Sequence, residues 1–493
     1  MHTVMDRSFA QPADTQSRDA RTAVDEQALY VRGLTALRDG NGREAASLLT
    51  RTLRRQPNHR GMRRHLIQAL LLAGRFDEVL IVADAALVAM PDDAELHFAR
   101  GTALNVLGQP SRACAAFAQA LSLRPGHAAS WLNMGNASAD LGDLTSANAL
   151  YRTAIRLDPA LAEAHASLGY ILTMFGELPE AIAACETAIR LRPGFAQAHW
   201  NVAIAALLSG DLPRGFIEYE WRKVHPRYCA DFPQLPGSAW DGSDPAGRTI
   251  LVRAEQGFGD AIQFARYLPM VLAAGASPIL VCASSLVALM RCIPNVQAVA
   301  ASDPLPDYDM WIDQISLPRV FGTTLRTIPS PGGYLSTAPA SVAAWGARLP
   351  EGPKIGLALA GNPNHPADRQ RSIPAEFARM LTGIPGSSFI NLQFGHAARG
   401  LGLPDLTPWL TDYAETAALI DSLDLVITVD TSVAHLAGAL GKPVWVLLPH
   451  APDWRWLLGR TDSPWYRSAR LFRQPAPGDW TSVLVQVARE LER

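Results

Sequence analysis

The chain has few cysteines and no long apolar segment, and each shortage excludes a class of protein. Its five cysteines are scattered over 493 residues without a C-x-x-C pair. That spacing excludes a disulfide framework and a cysteine-ligated zinc site, and it fits a reducing compartment. The apolar stretch 278–290 is interrupted by two serines and is too short to cross a bilayer. We therefore predict a cytoplasmic protein without a membrane span.

An excess of charge of either sign is also missing. The formal net charge is −2, and 18% of the residues are charged. A chain so close to neutrality gives no reason to expect nucleic acid or an anionic membrane as its main partner. Residues 1–26 are polar and lack the apolar core of a signal peptide, so we predict a disordered leader there.

Glycine and proline recur in the first half of the chain with one fixed period. The two series, each spaced by 34 residues, are Gly40, Gly74, Gly108, Gly142, Gly176 and Gly210, and Pro57, Pro91, Pro125, Pro159 and Pro193. This period is the signature of the tetratricopeptide repeat, a helix–turn–helix unit. Glycine suits the turn because a left-handed backbone costs it little, and proline marks the end of the second helix.

We therefore predict an α-solenoid over 27–225, with five full repeats and an altered sixth. Stacked repeats form a superhelix with a concave surface. We expect that surface to bind a protein or peptide, with a scaffold that joins domains as the alternative.

After residue 225 short apolar runs alternate with helical patterns. The stretch 226–246 is rich in proline and glycine and is predicted to be a linker. Apolar strands separated by helices predict parallel sheets that are covered on both faces. We predict two Rossmann-like lobes, 247–350 and 351–493. The predicted strands are 249–253, 278–282, 309–312, 354–360, 388–393, 425–429, 444–448 and 469–473.

The first candidate site follows the first of these strands, because ligands of open α/β sheets lie beyond the carboxyl ends of strands. The loop there reads "EQGFGD" and ends at Asp260. Gly257 and Gly259 predict a tight turn with close backbone approach to a ligand. Asp260 is a candidate general base, and the alternative is that it only caps the following helix. A dinucleotide site is disfavoured because Ile262 stands where G-x-G-x-x-G has its third glycine.

The second candidate site follows strand 425–429, in the segment "DTSVAH". The hydroxyls of Thr431 and Ser432, with the first amides of the following helix, predict an anion site suited to a diphosphate. His435 lies one turn further on and either faces that ligand or packs beneath it. A nucleophilic serine is not predicted, because the segment lacks G-x-S-x-G.

Two further patterns allow more than one interpretation. A D-x-D sequence, Asp307 to Asp309, precedes a predicted strand, and we interpret it as strand entry rather than a metal site. Trp454, Trp456 and Trp465 either shape a nucleotide pocket or belong to the core.

The chain from about residue 245 onward resembles the heptosyltransferase-like glycosyltransferases of family 9, which have the two-lobed GT-B fold. The resemblance rests on "GFGD", "DTSVAH" and "GKPVWVLL", each next to a predicted strand. It implies that Asp260 deprotonates the acceptor and that Asp430, Thr431 and His435 meet the donor diphosphate. It also implies that Arg371, where the heptose enzymes have lysine, contacts donor phosphate. A surface charge near a helix start is the alternative for Arg371.

The predicted function is transfer of a sugar from a nucleotide-diphosphate donor to an acceptor, with the repeats recruiting a protein. We expect no metal and no bound cofactor, since the nucleotide sugar is a co-substrate and the helix dipole, hydroxyls and Arg371 stabilise the departing diphosphate. The union of such repeats with this domain is typical of bacterial proteins. Two alternatives stay open: a non-catalytic repeat scaffold with a degenerate transferase domain, and an enzyme acting on a glycolipid.

Overall fold

The computed structural model describes residues 27–55, 59–330, 332–364, 368–393, 402–404 and 406–492. The predicted leader, 1–26, and Pro57 lie outside the described residues. The chain divides into two compact units. The first extends to Ile171 and includes Arg190–Pro193, and the second consists of Leu172–Ile189 and Gly194–Arg493. The second unit thus contains the last repeat helices as well as both sheets, and the predicted domain boundaries stay predictions.

Helices follow one another in pairs through the first half of the chain, as the repeat predicts. They are α1 (27–38), α2 (Gly42–Arg55), α3 (Arg60–Leu72), α4 (Phe76–Ala89), α5 (Ala94–Val106), α6 (Pro110–Leu123), α7 (Ala128–Asp140), α8 (Leu144–Leu157), α9 (Ala162–Phe175), α10 (Leu178–Leu191), α11 (Ala196–Ser209) and α12 (Leu212–Glu218). The altered sixth repeat has a short second helix, which continues as the 3₁₀ helix Tyr219–Val224 and is followed by α13 (Pro226–Asp231).

The glycines of the 34-residue series make the turns between paired helices. All six have a positive φ, for example 83° at Gly142, where a side chain would be strained. Small residues also let the helices of a pair approach closely. A Cβ built on Gly135 would lie 2.6 Å from the ring of Tyr151, and one on Gly101 would lie 2.7 Å from Phe117. The predicted repeat packing is confirmed.

The second half forms two five-stranded parallel sheets. The first sheet has the order β1-β5-β2-β3-β4, and the second has the order β10-β9-β8-β6-β7. The strands are β1 (Ser238–Ala239), β2 (Thr249–Arg253), β3 (Ser277–Cys282), β4 (Gln297–Ala300), β5 (Met310–Asp313), β6 (Lys354–Ala358), β7 (Ser388–Asn391), β8 (Leu425–Val429), β9 (Val444–Leu448) and β10 (Ala469–Arg473). The predicted α/β class is confirmed.

Two short edge strands were missing from the prediction. β1 has only two residues, both exposed, and lies in the predicted linker. β4 has four residues and alternates between exposed and buried positions. Neither has the continuous apolar run by which the buried strands were found, because an edge strand is covered less completely.

Helices and short 3₁₀ turns connect the strands. The helices are α14 (Phe258–Phe264), α15 (Leu268–Ala273), α16 (Ser284–Met290), α17 (Leu317–Val320), α18 (Pro339–Gly346), α19 (Asp368–Arg371), α20 (Ala375–Thr382), α21 (Tyr413–Asp421), α22 (Ser432–Leu440) and α23 (Trp480–Leu491). The 3₁₀ helices are Ala265–Tyr267, Gln314–Ser316, Thr407–Trp409 and Trp454–Trp456.

Each sheet has a topological switch point where the chain changes direction across the sheet. In the first sheet β2 lies between β3 and β5, and in the second sheet β6 lies between β7 and β8. Crevices for ligands form beyond the carboxyl ends of strands at such points. The segment that ends at Asp260 follows β2, and the segment that begins at Asp430 follows β8. Both candidate sites therefore lie at switch points.

A buried arginine joins the two sheet layers within the second unit. Arg266 donates to the carbonyl oxygen of Trp465 at 2.6 Å and to that of Pro329 at 3.2 Å. Its guanidinium also lies 4.6 Å from the centre of the Tyr466 ring. A buried cation that is stacked and hydrogen-bonded in this way fixes the position of one layer against the other.

Candidate functional site

Asp260 lies in the first turn of α14, directly beyond β2. Its Oδ2 accepts a hydrogen bond from the amide of Gly257 at 2.9 Å, so the side chain does cap the helix. The turn before the helix has its positive φ at Gln256, 63°, whereas Gly257 is extended with φ −98°. The left-handed residue of this turn is therefore Gln256, and neither Gly257 nor Gly259 has a positive φ.

The other carboxylate oxygen of Asp260 faces an arginine that lies 195 residues further along the chain. Arg455 donates from one terminal nitrogen to Asp260 Oδ1. It also donates from Nε to Gln263 at 2.6 Å and from its second terminal nitrogen to Asp453 at 2.9 Å. Its guanidinium stacks 4.2 Å from the centre of the Trp454 ring. The side chain of Arg455 is 8% exposed, so this cation is buried and fully engaged.

Gly259 has a packing role beside the same residues. A Cβ built on Gly259 would lie 2.7 Å from Cδ2 of His435, closer than Cβ atoms approach other atoms. The absence of a side chain at 259 therefore lets α14 lie directly against the histidine. Nδ1 of His435 lies 2.8 Å from the hydroxyl of Tyr466, and its ring stacks on Trp456 at 5.6 Å. Of the two positions predicted for His435, the structure has the one beneath the site.

The hydroxyls of "DTS" serve the local fold. Thr431 is the N-cap of α22, and its Oγ accepts from the amide of Val433 at 3.3 Å. The amide of Ala434 donates to the carbonyl oxygen of Thr431 at 3.0 Å. Ser432 shares a hydrogen bond of 2.9 Å with the hydroxyl of Tyr413. The helix start is therefore partly satisfied by its own residues, and the predicted anion site is not a set of free donors.

Arg371 lies at the switch point of the second sheet. It donates to the carbonyl oxygen of Asp430 at 2.9 Å, at the end of β8, and its Nε is 3.3 Å from Asp368. The side chain is 17% exposed. Arg371 therefore contacts the end of β8 and is not a solvated surface charge, which was the alternative for this residue.

The charges at this point of the second unit strongly perturb one another. Burial raises the pKa of Asp260, while the charge of Arg455 and the amide of Gly257 oppose the rise. Burial, with the nearby Asp453, raises the pKa of Asp430 to about 6. Burial lowers the pKa of His435 well below its ordinary value, and Arg455 adds to the effect. His435 is therefore neutral near pH 7. Strongly shifted groups in one crevice are typical of functional sites.

Other patterns of the sequence have structural roles. Asp309 accepts from the amide of Thr249 at 2.7 Å, beside β2, as strand entry predicts. Trp454, Trp456 and Trp465 are buried in the core. In the described part of the chain no three side chains of His, Cys, Asp or Glu are grouped to hold a metal ion. None of the helices in the described ranges has the length and apolarity needed to cross a membrane.

Two families of known proteins match parts of the chain. The tetratricopeptide repeat family matches residues 30–94, 98–162, 132–194 and 175–220. Glycosyltransferase family 9 (heptosyltransferase) matches residues 406–457. The chain contains tetratricopeptide repeats and a segment similar to glycosyltransferase family 9. That segment contains the loop after β8 and Arg455, whereas Asp260 and Arg371 lie outside it.

One curated relative is Protein FlbA of Caulobacter vibrioides, which is 30% identical over 316 residues. The match covers 56% of this chain and 52% of FlbA, so the chain spans about half the length of this relative. Solved structures of other proteins resemble parts of the chain. A thermophilic repeat protein of Thermus thermophilus is 22% identical, with 37% of this chain and 99% of that chain covered and a TM-score of 0.33. MamA of Desulfovibrio magneticus RS-1 is also 22% identical, with 34% and 97% covered and a TM-score of 0.31.

Residues that the sequence interpretation did not select also lie at this candidate site. Arg455 and Asp453 form its charged centre together with Asp260, and the neutral amide of Gln263 accepts from Arg455. One signal was visible in the sequence: Arg455 stands between two tryptophans in "PDWRW", where a guanidinium is held among apolar groups. Its partner on α14 was not visible, because nothing in the sequence relates positions so far apart.

Proposed function

We propose that the second unit transfers a sugar from a nucleotide-diphosphate donor to a hydroxyl acceptor. One observation carries the proposal. Asp260, after β2, and the loop after β8 lie at the two switch points, and Arg455, which follows β9 in the family 9 segment, pairs with Asp260. A ligand in this crevice would meet both a base and a cation.

In this proposal Arg455 and Arg371 bind the donor diphosphate. Guanidinium groups bind phosphate in two-pronged geometry and keep their charge at any physiological pH. The N-terminal end of α22 adds a positive dipole, although Thr431 already uses two of its amides. These groups would stabilise the charge that develops on the departing diphosphate without a metal.

Asp260 is the proposed general base, and its pairing with Arg455 sets a condition on that role. As long as the guanidinium donates to Oδ1, the carboxylate is a weaker proton acceptor. A donor diphosphate would compete for the same guanidinium and weaken that pairing. The base would then become available when donor is bound, and a positioned base contributes about 10² to 10⁴ in rate.

The test is calorimetric titration of the full chain with UDP, GDP, ADP and CMP in the absence of metal. One nucleotide should bind, and Arg455→Gln and Arg371→Gln should each weaken its binding about tenfold or more, as loss of a charged phosphate contact does. Arg460→Gln is the matched control, since Arg460 pairs with Asp462 in a more exposed position of the same loop. Equal nucleotide binding by wild type and the three variants, or no binding of any nucleotide, would overturn the proposed donor site.

Asp260→Asn separates binding from chemistry. It should reduce transfer about 10²- to 10⁴-fold without loss of nucleotide binding, because the variant lacks the proton acceptor and no longer holds Arg455 with a competing charge. The second candidate function, a non-catalytic scaffold, is favoured by the full engagement of both Asp260 oxygens. It predicts that wild type and Asp260→Asn are equally inactive.

A further inference from the structure

A cavity of about 700 Å³ opens beside Asp260 within the second unit. Its lining comes from α11, the first helix of the last repeat, from the segment 221–232, and from the loops after β2 and β6. The volume is in the usual range for a binding site of a small ligand or a few residues of a chain. The position matters because an acceptor hydroxyl must reach Asp260 for transfer.

The wall that the repeat and the following segment supply is aromatic. Trp200, Trp221, Tyr228 and Phe232 line it, and none of the four is fully buried. Trp221 is held in place by parallel stacking on the ring of His199 at 3.9 Å. Aromatic side chains placed rigidly around an open cavity provide large contact areas with little loss of conformational freedom.

Side-chain amides line other parts of the cavity, beside the ionisable side chains of Arg222, His225, Asp231 and Asp260. Gln197 comes from α11, Gln256 from the loop after β2, and Asn362 and Asn364 from the loop after β6. Amides offer both donors and acceptors, which is what a peptide backbone requires of a partner. They are distributed over three elements, so an extended segment could be held along its length.

The charge of the described wall does not suit a phosphorylated acceptor. Arg222 lines the cavity, but two of its nitrogens donate to Glu255, at 2.9 and 2.6 Å, and a third donates to Glu220. Its side chain is 2% exposed. A phosphate in the cavity would have to break this pair, in which Glu255 is 0% exposed, whereas Asp260 in the pair with Arg455 is 19% exposed and can be reached by a ligand.

We propose that this cavity is the acceptor site and that it holds an unphosphorylated peptide segment with the hydroxyl of a serine or threonine directed at Asp260. A peptide is favoured over an oligosaccharide because α11, a helix of a module class that binds proteins, contributes Trp200 to the aromatic wall. The inference rests on the proposed transferase function and adds the chemical class of the acceptor and the place where it binds.

The proposed transfer in the cavity needs no reactant besides the donor and the acceptor. The acceptor oxygen forms a bond to the anomeric carbon of the sugar as the bond from that carbon to the diphosphate oxygen breaks. The electron pair of the broken bond leaves with the diphosphate. The hydroxyl proton moves to the carboxylate of Asp260, which lines the cavity.

The experiment probes the full chain with an array of short unphosphorylated peptides, each containing a serine or threonine, and with an array of neutral oligosaccharides. Wild type should bind a subset of the peptides. Trp200→Ala and Trp221→Ala should weaken that binding about tenfold or more, as loss of a central aromatic contact does. Trp221→Phe keeps a ring against His199 and should retain most of the binding. Trp409→Ala, at an exposed tryptophan that does not line the cavity, should bind as wild type does.

Several results would overturn the inference. Absence of peptide binding, equal peptide binding by wild type and the cavity variants, or binding of oligosaccharides in place of peptides would each contradict a peptide in this cavity. Far-ultraviolet circular dichroism identifies a variant that fails to fold. If Trp221→Ala does not fold, the comparison of Trp200→Ala with Trp221→Phe tests the cavity instead. Nucleotide titration of the same proteins separates the two proposals. Absence of peptide binding with intact nucleotide binding would contradict only the proposal for the cavity. Absence of nucleotide binding would contradict the proposed transferase function.

Discussion

At the scale of the residue, individual atoms of one side chain have different partners at the site. Asp260 caps its own helix with one oxygen and pairs with Arg455 through the other. A residue can therefore have a capping role and a chemical role together. The two interpretations of Asp260 that the sequence left open are compatible, because a carboxylate has two oxygens with separate partners.

Gly259→Ala tests the packing of α14 on His435. The new methyl group would lie 2.7 Å from the imidazole, so the histidine or the helix must move. We expect the free energy of unfolding to fall by about 1–3 kcal/mol, as in other overpacked cores. Chemical denaturation measures the change. Gly346→Ala is the control, because a Cβ there meets nothing within 4 Å. Equal stability of the two variants would contradict the close contact.

Asp430→Asn tests the raised pKa of Asp430. Because the pKa rises from 3.8 unfolded to about 6 folded, the native state binds the proton more tightly. The stabilisation from this group is present below about pH 4 and is lost as the pH rises through 6. Wild type should therefore lose about 2 kcal/mol relative to the variant between pH 4 and pH 7, after allowance for partial exposure. Denaturation at several pH values measures the difference. A difference between wild type and variant that stays constant over this pH range would contradict a raised pKa of Asp430.

At the scale of the element, a buried ion pair joins the last repeat to the first sheet. Arg222, in the 3₁₀ helix that follows α12, donates to both oxygens of Glu255, which follows β2. Glu255 also accepts from the hydroxyl of Tyr228 at 2.6 Å and from the amide of Ile315 at 3.1 Å. One carboxylate thus organises several elements, and the aromatic wall of the cavity includes one of its partners.

Glu255→Gln should reduce the free energy of unfolding by about 3–5 kcal/mol, because it leaves the guanidinium of Arg222 buried without its counter-charge. Glu78→Gln is the matched control. Glu78 pairs with Arg75 on the exposed surface of the first unit, where such a pair contributes less than about 1 kcal/mol. Urea denaturation compares the two variants. If Glu255→Gln cost no more than the control, Glu255 would not organise these elements.

At the scale of the whole molecule, the chain consists of two compact units with different tasks in the proposal. The donor site and the cavity lie in the second unit, and the first four helix pairs lie in the first. Unfolding of such a chain is not described by a single transition, since units can unfold separately.

A bound nucleotide should therefore stabilise only part of the molecule. At a concentration about 100-fold above the dissociation constant, a ligand that binds only the folded state adds about 2.7 kcal/mol. In differential scanning calorimetry we expect the transition of the second unit to move to higher temperature while that of the first unit stays in place. Arg455→Gln should abolish the shift. Equal movement of all transitions would contradict a donor site confined to the second unit.

The sequence by itself determined the architecture of this protein, because its signals are local and periodic. The 34-residue spacing of Gly142 and its equivalents specifies the repeat, since each left-handed turn needs a residue without a side chain. Continuous apolar runs specified the buried strands, and "DTSVAH" indicated a transferase segment that the family 9 match confirms over 406–457.

Tertiary structure alone decided which groups form the site. Arg455 meets Asp260 across 195 residues, Arg222 meets Glu255, and the cavity has walls from three distant parts of the chain. Such contacts leave no periodic mark, because they depend on the stacking of sheets and helices rather than on spacing along the chain. The same holds for the neutral state of His435, which follows from burial and from the nearby charge of Arg455.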